Sequence, residues 1–221
     1  MSAICAHIGR IKEATIADER ARLSNPKTKA RNFGYNSLYG GDLVRAEEVA
    51  KAWLAQVPLW PHSFSFAAEC ALTNRDPGLA DEQLTAGFRI LPADDPMLLS
   101  LQSVLCACRG EKSAALECVH KSLKSPWPFQ HIHHASHQVA RTYAALGDLD
   151  KAVAWLQRAA ETGFPCACYF RIDPDWQICA ACRHSNSQRP GEKILRAENR
   201  APVEQGFLAT RASSRLVGSY R

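Results

Sequence analysis

Four cysteines near the end of the 221-residue chain stand in two short pairs, Cys166-x-Cys168 and Cys179-x-x-Cys182, with His184 just behind. Thiolates and an imidazole are the ligands zinc takes in a tetrahedral site, and a Cys-x-x-Cys loop presents two thiolates to one ion. The first pair is one residue short of that loop, and neither half carries a knuckle glycine. Free cysteine is also a common small core residue. The spacing therefore predicts no bound metal. Were zinc to bind, Cys166, Cys168, Cys179, Cys182 and His184 are the ligands it would find. A metal- or redox-responsive regulator built on that cluster is the second function the sequence offers. A Cys179–Cys182 redox pair would lack the βαβ surroundings such pairs use.

A second concentration of chemistry is "HIHHASH", with His131, His133, His134 and His137. His133 and His137 are four apart, on one face if the stretch is helical. No carboxylate stands between or after them to act as base or third ligand, so the imidazoles read as part of a helix start or a partner contact. Hydrolytic chemistry finds no Gly-x-Ser-x-Gly elbow, and phosphate transfer no Gly-rich loop before Lys-Ser/Thr. Asp94-Asp95 is explained by helix capping. The chain is read as non-enzymatic, with no cofactor.

Composition narrows the setting. No run of about 18 apolar residues appears, so no membrane span is expected. The start, "MSAICAHIGRIKEA", reaches Arg10, Lys12 and Glu13 too early for a secretory signal. Nine cysteines without such a signal read as reduced thiols, and the expected location is cytoplasmic. Residues 183–221 carry eight Arg and Lys against three Glu, which is the whole net excess of +5. The basic character thus belongs to a tail. Nucleic acid is not the expected partner, because only Phe207 and Tyr220 could stack on bases there.

The elements that would position these residues repeat along the chain. In "RTYAALGDLDKAVAWLQRAAETGFP", Gly147 separates two helical patterns and Ala152 follows five positions later. Gly110 and Ala115, Arg75 and Ala80, and Gly41 and Ala46 fall in the same register, at spacings of 37, 35 and 34 residues. Small residues recur where paired helices would cross, at Gly34, Ala68, Ser103 and Ala140. Pro58 and Pro92 close the first two units. Each unit is a helical hairpin too small to bury its own apolar faces, so it must stack on the next.

This 34-residue period resembles the tetratricopeptide repeat (TPR), over residues 27–176. The resemblance implies an all-α, right-handed solenoid of about four helix–turn–helix units. Tyr143 to Gly147, Gly163-Phe164-Pro165 and Asp173-Pro174 further resemble the C-terminal TPR segments of bacterial signalling proteins. Where those carry a charged closing helix, this chain has "QICAACRHSNSQRPGEK".

A TPR-like solenoid implies a protein-interaction scaffold that holds a peptide or helix in its concave groove. Helical phase assigns Arg31, Tyr35, Leu38 and Tyr39 to that groove from the first unit, and His62, Ser65, Glu69 and Thr73 from the second. Met97, Ser100, Val104 and Cys108 follow from the third, then His134, His137 and Arg141 from the fourth. Mixed aromatic, apolar and cationic groups suit a peptide with apolar anchors. Only Arg31 matches the basic clamp of TPR proteins that hold chaperone tails; Tyr35, Phe66 and Met97 stand where Asn and Lys would be. Residues 1–26, with Ile4, Ile8 and Ile11 at helical spacing, read as an amphipathic capping helix, and residues 177–221 as a basic, disordered tail.

Overall fold

Four positions among the described residues carry the backbone into the left-handed region: Gly41 (φ 81°), Arg75 (φ 61°), Gly110 (φ 78°) and Gly147 (φ 79°). They are the four repeat positions set 34, 35 and 37 apart in the sequence. Each closes the first helix of a hairpin, where a left-handed residue lets the last carbonyls find partners. At Gly41 the amide bonds to the Leu38 carbonyl at 3.1 Å and the next amide, Asp42, to the Ser37 carbonyl at 2.9 Å. The same pair of bonds recurs at Arg75–Asp76, Gly110–Glu111 and Gly147–Asp148.

In the computed structural model the described residues are Cys5, 10–24, 31–124 and 132–162, with Tyr169, Phe170, Asp173 and Trp176. The chain divides into two compact units, residues 1–188 and 189–221, and every described residue belongs to the first. Cys166, Cys168, Cys179, Cys182 and His184, and with them the zinc question, lie outside the described residues.

The described helices are α1 (Ile11–Ser24), α2 (Arg31–Gly40), α3 (Leu43–Gln56), α4 (Pro61–Thr73), α5 (Pro77–Ile90), α6 (Pro96–Cys108), α7 (Lys112–Lys124), α8 (Ile132–Ala145) and α9 (Leu149–Glu161). Their starts are written in the sequence. Asp42, Asp76, Asp95 and Asp148 each accept a hydrogen bond from an amide of the following first turn. Proline opens α4, α5 and α6, where its missing N–H costs nothing.

Pairing follows the predicted repeat. Helices α2 and α3, α4 and α5, α6 and α7, and α8 and α9 form four hairpins, and α2, α4, α6 and α8 pack in a row. The helix α1 packs on α2. The described residues therefore form an all-α TPR-like solenoid of four helix–turn–helix units, as the period predicts.

The small residues do the work their spacing predicts. Ala46, Ala80, Ala115 and Ala152, five positions after each turn, are all buried, as are Ala68, Ser103 and Ala140 at the crossings. A Cβ at Gly34 would stand 2.7 Å from the Phe66 ring, so glycine lets α2 lie close against α4. Two large apolar clusters result. One joins Leu38, Tyr39, Trp53 and Phe66 across the first two units; the other joins Phe64, Leu84, Leu98 and Leu105 across the second and third.

Candidate functional site: the inner face of the repeats

The helices α2, α4, α6 and α8 share one face of the solenoid, and most of the predicted groove residues stand on it. Arg31 opens α2, though its side chain lies outside the described residues. Tyr35 and Tyr39 sit one turn apart, with ring centroids 5.6 Å from each other. Tyr35 also meets His134 of the fourth unit at 5.5 Å, and the Tyr39 hydroxyl lies 3.5 Å from His134 Nδ1. The first and last hairpins thus touch across this face.

The expectation of an open groove needs correction. Leu38, Tyr39, Glu69, Met97, His134, His137 and Arg141 are all buried, several of them completely. Part of what covers them is the chain that leaves the fourth unit. Tyr169 is fully buried against Tyr39 at 5.1 Å and His137 at 5.4 Å, and its hydroxyl shares a 3.1 Å hydrogen bond with Thr73. Phe170 stacks on His137 at 5.7 Å, and Trp176 lies 6.4 Å from the same ring. Helical phase tells which side of a helix turns inward. It carries no information on whether a later stretch of chain lies on that side.

Beneath these rings is a buried polar relay. The Asp173 carboxylate Oδ2 lies 3.2 Å from His137 Nε2 and 3.6 Å from Arg141 Nε. Arg141 donates through Nη1 to Gln138 Oε1 at 3.2 Å, and Gln138 donates through Nε2 to Glu69 Oε1 at 3.0 Å. Thr142 donates to the Gln138 carbonyl and shares a 2.7 Å hydrogen bond with Ser103. Three helices, α4, α6 and α8, are tied together through side chains that an apolar core would exclude unless paired.

Burial decides the electrostatics. It pushes the Glu69 carboxyl up to about 7; the Arg141 charge pulls the other way, Asp173 adds to the rise, and the Gln138 hydrogen bond offsets part of it. Burial, then the Glu69 charge, holds the phenols of Tyr35 and Tyr169 and the Cys70 thiol well above their ordinary ranges.

The other predicted residues stand apart from this centre. His62 is half-buried and packs edge-on against Trp60 at 5.0 Å. Ser100 and Val104 are buried in the interior of α6, and Cys108 is exposed at its end. Sequence reasoning placed Asp173 in the repeat's exit, singled out none of Tyr169, Phe170 and Trp176, and missed the place of all four here. Their spacing contained the signal, since positions 169, 173 and 176 fall on one face of a helical turn. The Asp173 amide indeed bonds to the Tyr169 carbonyl at 2.8 Å.

Among the described residues no group of three or more His, Cys, Asp or Glu is placed to hold a metal. None of the described helices is long and apolar enough to cross a membrane.

Comparison with known proteins agrees with this architecture. No protein-family model matches the chain, and no curated protein matches it. Among solved structures, one similar chain belongs to the APC/C hetero-tetramer Cut9–Hcn1, with a TM-score of 0.55 at 16% identity. That match covers 69% of this chain and 30% of the other, so the chain spans less than a third of that relative. Another is TTC0263, a thermophilic TPR protein of Thermus thermophilus, with a TM-score of 0.55 at 22% identity. It is covered over 92% of its length by 80% of this chain. At these identities the likeness is one of fold, and the fold is TPR-like.

Proposed function

We propose that the chain is a non-enzymatic protein-interaction scaffold whose partner is a protein or peptide, bound as a peptide or helix on the inner face of the repeats. The observation that carries this reading is that the face already holds a stretch of polypeptide. Tyr169, Phe170, Asp173 and Trp176 lie on it through aromatic contacts and a buried carboxylate. A surface that seats one such segment has the anchors to seat another.

A carboxyl raised to about 7, like Glu69, is also what an acid–base catalyst needs. Glu69, however, is fully buried and hydrogen-bonded to Gln138, which fits a structural relay better than a group awaiting substrate. The domain reading that accompanies the proposal is a cap over residues 1–26, repeats over 27–176 and a basic tail beyond.

Photo-crosslinking tests the face. A benzophenone amino acid is placed at the half-buried Tyr35 or His62, and separately at the exposed Val44 or Leu59. Partner adducts from Tyr35 or His62 and not from Val44 or Leu59 support the proposal. Adducts from the two exposed positions alone, or from none of the four, reject it.

A further inference from the structure

The inner face holds two chemically distinct features in register. The first is an aromatic slot. The Tyr39 and His137 rings both pack against the Tyr169 ring, and Thr73 meets its hydroxyl. The second is a carboxylate seat. Arg141 Nε and His137 Nε2 both approach Asp173 Oδ2. The occupants of slot and seat stand four positions apart, and the Asp173 amide bonds to the Tyr169 carbonyl at 2.8 Å.

The seat has cationic character and no second cation is needed to explain Asp173's burial. On the same face, Glu69 is an acid whose charge burial disfavours, so it does not compete for Arg141 as a full anion would. An incoming carboxylate therefore meets an arginine whose ion pair is with Asp173 and whose amide contact is with Gln138. An equivalent carboxylate in place of Asp173 keeps a charge partner for the buried Arg141; a neutral group strands the guanidinium.

Resting on the inner-face reading above, we propose that this face selects a helical peptide of a partner protein bearing an aromatic residue and, four positions later, a carboxylate. The chain's own Tyr169 and Asp173 are the built-in competitor, holding slot and seat until such a peptide displaces them. A site occupied by its own chain binds an outside ligand more weakly by the fraction of time it stands open. Loosening the internal occupant without touching slot or seat must then strengthen outside binding.

The experiment uses the full chain and a fluorescein-labelled peptide copying residues 166–178, with serine for both cysteines. Its partner peptide carries asparagine in place of the aspartate that copies Asp173 and keeps the one that copies Asp175. The protein variants are Tyr169→Phe, which keeps the ring and loses the hydroxyl bonds to Thr73 and Glu69, and Asp173→Asn, which weakens the internal hold on the seat. The added peptide keeps both groups, so Tyr169→Phe handicaps the competitor, while Asp173→Asn also leaves Arg141 without its charge partner in the closed chain. By anisotropy, the copy peptide is expected to bind Tyr169→Phe at least about fivefold more tightly than wild type, the worth of one neutral hydrogen bond or more, and Asp173→Asn more tightly still. The asparagine peptide is expected to bind all three at least about tenfold more weakly.

Equal binding to wild type and Tyr169→Phe, with unchanged helical circular dichroism, overturns the proposal, as does equal binding of the two peptides. Tyr169→Phe carries the test if Asp173→Asn unfolds. A wild-type dimer in sedimentation that the copy peptide disperses would assign the slot to a second copy of this chain and overturn the heterologous partner. Crosslinks from Tyr35 or His62 alongside a failed peptide assay remove this specificity alone; loss of both removes the inner-face reading itself.

Discussion

Gln138 donates its side-chain amide to Glu69 at 3.0 Å while accepting from Arg141 at 3.2 Å, so one neutral residue relays between a buried acid and a buried base on different hairpins. The arrangement keeps the two from forming a direct bidentate pair. That is consistent with Glu69 being held up to about 7, burial outweighing the nearby arginine.

A pH dependence follows. An acid whose folded value lies above its ordinary 4.5 binds its proton more tightly in the folded chain. Stability from this group is therefore fully present below about 4.5, falls as pH rises to about 7, and stays lost above it. The change across that window is roughly 3 kcal/mol at most. Glu69→Gln is neutral throughout and keeps the acceptor for Gln138. The difference in unfolding free energy between Glu69→Gln and wild type, from urea titrations at pH 5 to 8, should move in favour of the glutamine as pH rises. A difference that is flat with pH would mean Glu69 is ionised in the fold.

Arg75 sits at φ 61° where the other three turns use glycine. A side chain in that region costs about 1 kcal/mol, partly balanced by the extra freedom glycine has in the unfolded chain. Arg75→Gly should therefore stabilise by roughly 0.5–1 kcal/mol. Gly147→Ala should destabilise by about 1 kcal/mol, since nothing within 4 Å would clash with the new methyl and only the backbone at φ 79° resists it. Urea midpoints of the two variants give both signs. A loss in Arg75→Gly would show that the arginine's contacts outweigh the turn.

The turns, the five-residue offset to Ala46, Ala80, Ala115 and Ala152, and the small residues at the crossings were all legible because each is a local requirement that small residues meet best, Arg75 being the exception. The filled inner face was not. Whether Arg141 looks onto water or onto Asp173 is decided by a contact 32 positions away in the chain. Leu38 was read as a groove residue because its phase is right, yet it lies in the core with Tyr39, Trp53 and Phe66. A helix of ten residues such as α2 turns so short a face to its neighbours that the same phase serves core and groove.

The crossing of α2 and α4 depends on a missing methyl group. A Cβ at Gly34 would meet two carbons of the Phe66 ring at 2.7 Å and a Val49 methyl at 3.1 Å. Phe66 is fully buried and packs at 4.7 Å on Tyr35 and 4.8 Å on Trp53, so the ring has little room to retreat. Gly34→Ala should cost about 1–3 kcal/mol despite alanine's better helix propensity. Differential scanning calorimetry of the variant checks this. A raised melting temperature would show that the first hairpin shifts freely.

The ion pair of Arg141 with Asp173 should be worth far less than its single mutants suggest. Both residues are completely buried, 3.6 Å apart at Nε and Oδ2. Arg141→Met strands the Asp173 carboxylate in the interior, and Asp173→Leu strands the guanidinium; each should destabilise by about 3–5 kcal/mol. The double variant removes both charges and fills the space with apolar atoms. Its cost should fall short of the sum by at least about 1 kcal/mol, because neither stranded charge remains. His137 Nε2 lies 3.2 Å from the same carboxylate. Additive losses in the cycle would show that Asp173 is held by packing around Tyr169 and Phe170 and not by charge.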